Sequence, residues 1–484
     1  MSLWFLLLVP VIGAVVVLTC KSVRSATRVA LAIGLVELLA IGNVVLAIRR
    51  MGTVHSGRYL RGDGLTSFFL VNIAVVFSLV LVYSIGYLRH IPEGRFSSPR
   101  WFYSLFFLSV FAMVAVYLSA NLGLLWIFVE ATTLASALLV GFYNTQGAVE
   151  AGWKYLIVCT VGIALALFGT ITLYLAAVRS GVPSASALDW QTLMAAAPTM
   201  SGVTELVKIA IVFVTVGYGT KIGFVPMHSW LPDAHAEAPS PISAMLSAVL
   251  LNCALYALLR FDAITSRAIG TGFGHTLLLT FGTLSVVVAA FLMVVQRDLK
   301  RLLAYSSIEH MGIIAIGIGL GGTFGLFGAL LHAFNHSIAK ALLFFTAGHV
   351  RENFSTLRME RVRGMARLLP LTSSALVIGT LAIVGLPPFA LFVSEFFILT
   401  AAFSTAHYPV AVLVLISLSV VFGALLYHFQ GMLTGKAQIE PAHPRLLSSE
   451  LAVMGSCAVA LLALGIRVPH SLGILLHVAM GVLQ

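Results

Sequence analysis

Apolar runs of membrane-spanning length recur along almost the whole of this sequence. A helix needs about 20 apolar residues to cross the hydrocarbon core of a bilayer. Of the 484 residues, 60% are hydrophobic and only 9% are charged, whereas a soluble domain has about 25% charged residues. The sequence therefore predicts an all-α polytopic membrane protein and excludes an ordinary soluble domain.

The apolar runs divide the chain into about fourteen predicted spans, of which the seventh and the twelfth are interrupted. Their approximate limits are 2–20, 27–48, 64–88, 101–118, 121–141, 153–178, 204–226, 241–260, 272–295, 302–320, 323–348, 370–401, 408–430 and 450–468. The tail from 468 to 484 is apolar enough to lie at the membrane interface.

Basic residues indicate how the chain is oriented. The loops after odd-numbered spans hold more lysine and arginine, including Lys300 and Arg301, than the loops after even-numbered spans, which include Arg260. Basic loops stay in the cytoplasm, so both termini are predicted to lie outside. The same loops explain the net charge of +11 without a nucleic-acid partner.

The seventh span is interrupted by GYGTKIGFVPMHSWLPDAHAEAPSPISA, residues 217–244, which places Lys221 among glycines and prolines. A charged group inside a membrane costs at least ~2.5–3.5 kcal/mol on insertion scales. Irregular backbone at that depth must be surrounded by protein or water. A second interrupted run, GLPPFALFVSEFFIL at 385–399, carries Glu395. Paired interrupted helices of this kind are typical of ion-transporting membrane proteins.

Glu130 lies in the middle of the fifth span, in LGLLWIFVEATTLASALLV, and would complement Lys221 if the two met. Glu130 is either a protonated carboxyl that hydrogen-bonds a neighbouring helix or a functional acid. Lys221 either snorkels to the interface or serves an ion path. Because intramembrane charges are usually functional, the second alternative is favoured for both. Burial and pairing act in opposite directions on the pKa of such groups, so a pair that forms and breaks would be one proton switch. For Lys208, at the start of the seventh span, an interfacial position and a relay role both stay open.

The eleventh span contains HAFNHSIAKALLFF, in which His332, His336 and Lys340 recur every four residues and so share one helix face. A histidine pair of this spacing can bind a metal, but no third ligand is evident and no HExxH motif is present. A polar stripe that carries protons is favoured, since the pKa of histidine lies near neutrality. The tenth span adds Glu309 and His310, and for Glu309 a structural role is equally open.

His228 and His235 follow the interruption of the seventh span, together with Asp233 and Glu237. Helix capping and loop hydrogen bonding are one interpretation of this group, and proton uptake from the cytoplasm is the other. The four cysteines lie far apart in apolar runs, with no CxxC spacing, which predicts buried apolar residues and no metal or iron–sulfur cofactor in this chain.

The interrupted seventh span, DLKRLLAYSSIEHMG (298–312), HAFNHSIAKALLFF (332–345) and GLPPFALFVSEF (385–396) together resemble the proton-antiporter family. This family comprises antiporter-like membrane subunits of respiratory complex I, of group 4 membrane-bound hydrogenases and of multisubunit Na⁺/H⁺ antiporters. The block 235–260 most resembles the hydrogenase-4 component F branch, from formate hydrogenlyase-type complexes.

The resemblance implies two inverted five-helix repeats, each with a half-channel and a broken helix, joined by a hydrophilic axis along the membrane midplane. It divides the chain into residues 1–100 with spans one to three, 101–260 with the first repeat, 261–430 with the second repeat, and 431–484 with the last span and the tail.

By position, the resemblance makes Glu130 the fifth-span glutamate that pairs with Lys221. It makes Lys340, with His336, the eleventh-span relay, and Glu395 the twelfth-span charge. Several family members have a lysine in the eighth span where this chain has Asn252. Asn252 cannot carry a proton as lysine does, so water or His310 would have to bridge the two halves.

The resemblance also implies a place in the bacterial cytoplasmic membrane, beside lipid, other membrane-arm subunits and a peripheral iron–sulfur arm. The iron–sulfur clusters, and in one alternative a nickel–iron centre, would belong to partner subunits. Three hypotheses follow: a proton-translocating subunit of a redox-driven complex, a subunit of a gradient-driven Na⁺/H⁺ antiporter, and a scaffold that moves no ions. The row of intramembrane charges disfavours the scaffold, and the hydrogenase-like block favours the redox-driven complex.

Overall fold

The computed structural model describes residues 3–89, 98–437, 439–442 and 445–484, and this part of the chain is almost entirely helical. In chain order its α-helices are α1 (Leu3–Leu18), α2 (Val23–Met51), α3 (Gly64–Tyr87), α4 (Pro99–Leu118), α5 (Leu122–Val140), α6 (Gln146–Arg179), α7 (Trp190–Ala196), α8 (Thr204–Ile222), α9 (Trp230–Glu237), α10 (Ser240–Met245), α11 (Leu251–Ile269), α12 (Gly272–Val294), α13 (Leu299–Leu320), α14 (Gly322–Phe354), α15 (Met365–Leu368), α16 (Pro370–Ile383), α17 (Ala390–Ser404), α18 (Tyr408–Leu433), α19 (Ser448–Ile466) and α20 (His470–Leu483). Short 3-10 helices precede α8 and α9, and a π-helical turn, Leu246–Leu250, joins α10 to α11.

The predicted all-helical membrane fold is confirmed. Each of the fourteen predicted runs coincides with one helix or with a pair of helices. Among the described residues, eleven helical segments are long and apolar enough to cross a membrane, and four further apolar helices are shorter. The number of crossings and the two repeats stay predictions, because helix length and composition alone do not decide them.

The helices differ sharply in how much of their surface other helices cover. In the most apolar 18-residue stretch of Ser240–Ile269 every residue is buried, and in that of Leu299–Leu320 94% of the residues are buried. In the corresponding stretches of Val23–Met51 and Tyr408–Leu433 only 33% of the residues are buried. Polar side chains within a bilayer face the protein interior because lipid cannot hydrogen-bond them. The inner helices α10, α11, α13 and α14 can therefore carry the ionisable residues of the chain.

The seventh span breaks at the predicted place. Helix α8 ends at Ile222, and Gly223 adopts a left-handed conformation with φ of +93° while its N–H donates to the carbonyl of Gly219. Glycine is favoured here because residues with a side chain rarely adopt positive φ. Pro226 follows, and the chain resumes in α9 at Trp230. The break ends α8 one residue after Lys221.

The twelfth span is interrupted as well, between α16 and α17. Gly385 lies in this break with φ of +67°, and a Cβ added there would come within 1.9 Å of Oε2 of Glu395. The backbone of the break therefore packs directly on a carboxylate of the following helix, which only glycine permits. The prediction of broken helices in the seventh and twelfth spans is confirmed.

The short connection between α2 and α3 forms a two-stranded antiparallel hairpin, β1 (Val54–Ser56) and β2 (Leu60–Gly62), which the sequence did not predict. Directly after it, the carboxylate of Asp63 caps α3 and accepts a hydrogen bond of 2.8 Å from Arg260. The guanidinium of Arg260 also lies over the ring of Trp190, 4.1 Å from its centroid. This buried ion pair joins the start of α3 to α11.

Two residues that the sequence assigned to exposed loops are in fact buried. Lys300 is fully buried within α13, where its Nζ donates to the carbonyl of Ala238 at 2.6 Å, and Arg260 is only 2% exposed. The helices extend beyond the apolar runs that predicted them, because buried partners satisfy these cations. Without Lys300 and Arg260, each of the two sets of loops has one basic residue fewer. The loops after odd-numbered spans therefore still hold more basic residues than the loops after even-numbered spans. The apolar tail forms α20, which packs on α3 so closely that Gly64 contacts Val478.

Candidate functional site

Lys221 is completely buried at the end of α8, beside the first helix break. Its Nζ donates hydrogen bonds to Oγ1 of Thr133 at 2.6 Å and to the hydroxyl of Tyr155 at 2.8 Å. The Tyr155 hydroxyl lies 2.7 Å from the hydroxyl of Ser136. The ammonium group is thus held by neutral hydroxyl groups of α5 and α6.

Glu130 does not touch Lys221 directly, which corrects the expectation of an ion pair. Its Oε2 accepts from Thr133 at 3.5 Å, and its Oε1 accepts from Thr160 at 2.7 Å. Thr133 therefore stands between the acid and the lysine. Glu130 is only half-buried and Thr160 is exposed, so this end of the cluster reaches the outer face of α5 and α6.

A second cluster joins α13, α14 and α17 through histidines. Nδ1 of His310 lies 2.9 Å from Nε2 of His332, and Nδ1 of His332 lies 3.0 Å from Oγ of Ser394. Both histidines are completely buried. The residue after Ser394 is Glu395, which is 6% exposed and has an oxygen, Oε1, without a hydrogen-bond partner among the described residues.

His336 and Lys340 continue the same face of α14, as their spacing predicted, and both are fully buried. The His336 ring lies 5.4 Å from the His310 ring, centroid to centroid. Nζ of Lys340 donates to the carbonyl of Leu303 at 2.9 Å. Within the described residues neither nitrogen of His336 has a hydrogen-bond partner.

Glu309 is also fully buried, and its Oε2 lies 3.6 Å from Nε2 of His310. Neither of its oxygens accepts a hydrogen bond from the described residues. Two acids, three histidines and a lysine are therefore enclosed where α13, α14 and α17 meet.

Polar groups also lie between the two clusters. Asn252, just after the π-helical turn, donates from Nδ2 to the carbonyl of Ala248 at 2.8 Å and to Oγ of Ser337 at 3.4 Å. Ser247 and Ser307 are hydrogen-bonded at 2.8 Å. Oδ1 of Asn252 has no partner in the described part of the chain.

A charged cavity of 190 Å³ lies at the end of α9, near the start of α13. Its lining includes Asp233, which forms ion pairs with both Lys154 and Arg301, and also Glu237. Asp233 therefore holds α6 and α13 to α9, as the structural interpretation of this segment expects.

His235 and His228, on either side of Asp233, occupy different surroundings. His235 is completely buried, and its ring stacks on Phe344 with centroids 4.9 Å apart. His228 is half-buried, and its ring lies 6.2 Å from that of Tyr305.

Lys208 lies apart from both clusters. Its Nζ contacts Oε1 of Glu205 at 2.9 Å in the first turn of α8, and the lysine side chain is 37% exposed.

Several polar residues of the clusters were not identified from sequence, namely Thr133, Tyr155 and Ser394. Thr133 lies one turn after Glu130 on α5, and Ser394 is next to Glu395, so proximity to an intramembrane acid was an available signal. Tyr155 had no such signal. The four cysteines are buried and free, as predicted.

Residues 119–423 match the family described as NADH:quinone oxidoreductase/Mrp antiporter, TM. The hydrogenase-4 component F homolog of Methylacidiphilum infernorum is 41% identical over 372 residues, which cover 74% of this chain and 78% of that protein. NADH-quinone oxidoreductase subunit N of Desulforudis audaxviator is 31% identical over 84% of this chain and 80% of its own length.

Among solved structures, a chain of the archaeal membrane-bound sulfane sulfur reductase superposes with a TM-score of 0.88. It is 24% identical, and the match covers 99% of this chain and 97% of that one. At this level of identity the likeness concerns the fold alone.

Proposed function

Because the chain belongs to the NADH:quinone oxidoreductase/Mrp antiporter family of transmembrane proteins, we propose that it translocates protons as one membrane subunit of a redox-driven complex. The relative that is 41% identical is a hydrogenase-4 component F homolog, which supports a hydrogenase-like assembly. In this proposal the chain itself performs no redox catalysis.

One observation carries the proposal: buried ionisable residues extend from one broken helix to the other. Lys221 lies at the first break, Glu395 contacts the second, and His336 and Lys340 lie between them on the central helix α14. Buried ionisable groups within a membrane are costly, and they mark ion pathways. A subunit that served only as a scaffold would not need this row.

The first cluster provides a switch. A proton on Lys221 is shared with neutral hydroxyls, and Thr133 links it to Glu130. Since Glu130 reaches the outer face of α5 and α6, a charge or a movement in a neighbouring subunit can act on it there. A shift of the Glu130 carboxylate would change the electrostatic stabilisation of the Lys221 ammonium and thereby release its proton.

The released proton passes to α14 by way of Asn252. Asn252 and Ser337 cannot donate a net proton, but buried polar atoms without protein partners bind ordered water in proteins. Oδ1 of Asn252 and both ring nitrogens of His336 are such atoms. Water held by these atoms would replace the eighth-span lysine of other family members, and the proton would continue through His310 and His332 to Glu395.

The charged cavity beside Asp233 is the proposed cytoplasmic mouth of the second half-channel. His235 would connect it to the interior, because it is completely buried and lies two residues from both Asp233 and Glu237 on α9. His228 would take part only at the surface, and Lys208 lies outside the path. The proposed orientation has both termini outside the bacterial cytoplasmic membrane.

The energy for transport must come from partner subunits in this proposal. These would be other membrane-arm subunits and a peripheral arm with iron–sulfur clusters, with a nickel–iron centre if the complex is a hydrogenase. The alternative is a gradient-driven Na⁺/H⁺ antiporter, which the family description equally includes.

The path is tested with Lys340→Met in the intact complex, reconstituted into vesicles in which proton movement is followed by a pH-sensitive dye. We expect Lys340→Met to abolish proton movement while the complex still assembles. Lys21→Met, at an exposed loop position, is the matched control and should transport like the wild type. Undiminished transport by Lys340→Met would refute the proposed path.

The driving reaction is tested by the iron and nickel content and the EPR spectrum of the complex purified in mild detergent. Iron–sulfur signals are expected, and nickel would identify a hydrogenase. An intact complex without iron would favour the gradient-driven antiporter instead.

A further inference from the structure

We propose that His310, His332 and Glu395 form a binding site for a divalent transition-metal ion of the Zn²⁺ class, and that the ion blocks the proton path. One ligand atom from each of the three residues lies within 4.8 Å of the others. The residues come from α13, α14 and α17, so no local sequence motif predicts the site. The inhibition rests on the proposed function, whereas the binding does not.

The ligand set suits zinc. Two imidazoles and one carboxylate, with a fourth position open for water, make up a known type of zinc site with Zn–N distances of about 2.0–2.1 Å. Ligand atoms at such distances lie about 3.4 Å apart in a tetrahedron, so small side-chain rotations would suffice. All three residues are at least 94% buried, since Glu395 is 6% exposed and the histidines are 0% exposed.

The surrounding hydrogen bonds keep the required nitrogen of His332 unprotonated. The hydroxyl of Ser394 donates to the carbonyl of Leu391 at 2.9 Å, so it accepts from Nδ1 of His332. The proton of His332 therefore lies on Nδ1, and Nε2 carries a lone pair that points at His310. Outer hydrogen bonds of this kind orient metal-binding histidines in other proteins.

Zinc binding requires an ionised Glu395, so a proton carried by that carboxyl is released to water, and one further proton moves within the site. In the metal-free site Nδ1–H of His310 donates a hydrogen bond to Nε2 of His332. Binding replaces that hydrogen bond by bonds from the metal to both nitrogens and to a Glu395 oxygen. The proton displaced from Nδ1 of His310 can move to Nε2 of the same ring, which is 3.6 Å from Oε2 of Glu309. The ion therefore occupies the place of the proton between His310 and His332. For this reason it would inhibit proton transport.

The Glu395 carboxylate lies close to the surface of the chain. Gly385 is half-exposed and contacts the Glu395 carboxylate, and Pro387 and Pro388 beside it are exposed. Only Gly385, which has no side chain, thus lies between the Glu395 carboxylate and the surface of the chain.

The test uses the purified complex, equilibrated with Zn²⁺ and then freed of loosely bound ions by gel filtration. Bound zinc is counted by mass spectrometry, and its ligands are identified by X-ray absorption at the zinc edge. We expect His332→Gln and Glu395→Gln each to lose one zinc ion per complex relative to the wild type, together with the imidazole scattering of that ion.

His336→Gln is the matched control, because His336 lies one turn from His332 on α14 but outside the ligand set. It should keep the zinc ion even though its proton transport is expected to fail. In the wild type, Zn²⁺ should inhibit proton transport and a chelator should restore it. Zinc content unchanged in both His332→Gln and Glu395→Gln, or lost equally in His336→Gln, would overturn the site. If the wild-type complex binds zinc at this site but transports no protons even without zinc, the result would count against the proposed function and not against the site.

Discussion

Lys221 and Glu130 are connected through the hydroxyl of Thr133 and not by a direct ion pair. Nζ of Lys221 lies 2.6 Å from Oγ1 of Thr133, which in turn lies 3.5 Å from Oε2 of Glu130. The hydroxyl can accept from the lysine and donate to the acid at the same time. In the proposed mechanism it transmits a change at the outer face of α5 to the buried ammonium group.

Replacing this bridge should uncouple the two charges. Thr133→Val keeps the shape but removes a hydrogen bond to a charged group, which is worth about 1.5–3 kcal/mol. We expect proton transport to fall roughly tenfold or more. Thr132→Val is the matched control, since among the described residues the Thr132 hydroxyl bonds only the carbonyl of Val129 within α5. Equal transport by the two variants, measured with a pH-sensitive dye in vesicles, would contradict a bridging role.

Lys221 itself is expected to be indispensable. Lys221→Met fills the buried site with an apolar side chain of similar length, so the complex should assemble while proton translocation is abolished. Lys208→Met, on the same helix but partly exposed beside Glu205, should leave transport nearly unchanged. Assembly is checked by the subunit composition of the purified complex. Full pumping by Lys221→Met would remove the lysine from the mechanism.

The buried pair of Asp63 and Arg260 should stabilise the packing of α3 on α11. Asp63→Asn leaves the Arg260 charge buried without its partner, which typically costs about 3–5 kcal/mol. We expect a lower unfolding temperature in detergent. Glu360→Gln is the matched control, because Glu360 and Arg297 form an exposed pair of 3.6 Å and such pairs contribute little. A change no larger in Asp63→Asn than in this control would disprove the stabilising role.

The same pair predicts a pH dependence of stability. Burial alone would raise the pKa of Asp63, but the charge and hydrogen bond of Arg260, with hydrogen bonds from Thr66, outweigh burial and hold that pKa below its ordinary value of 3.8. Such a group stabilises the fold above its unfolded pKa, and the contribution is lost as the pH falls below it. The wild-type unfolding temperature should therefore drop more steeply below about pH 4 than that of Asp63→Asn. Parallel curves for the two proteins would show that Asp63 is not the group responsible.

Gly385 is expected to position the Glu395 carboxylate. A Cβ at this position would lie 1.9 Å from Oε2 of Glu395, and the backbone has positive φ, so Gly385→Ala must displace the carboxylate or the break. We expect transport to be lost and, in the zinc-binding assay, the metal as well. Gly423→Ala, in α18 with open space around it, should behave like the wild type or be slightly more stable. Normal transport by Gly385→Ala would show that the exact position of Glu395 is unimportant.

The sequence by itself determined the membrane-spanning helices, the two interruptions and the ionisable residues beside them. These features depend on properties that are local along the chain: the length of an apolar run, the breaking of a helix by glycine and proline, and the cost of a charge in lipid. For that reason Lys221 and Glu395 were identified at the two breaks, and His332, His336 and Lys340 on one helix face.

The tertiary structure decided which of these groups meet. Thr133 separates Glu130 from Lys221, Lys300 and Arg260 are buried where loop charges were expected, and His310 joins His332 and Glu395 from three helices. Such contacts join residues far apart in sequence, and they depend on how each helix is rotated and how closely it packs. In a helix every side chain is fixed relative to its own axis, but only packing against other helices determines which partner it faces.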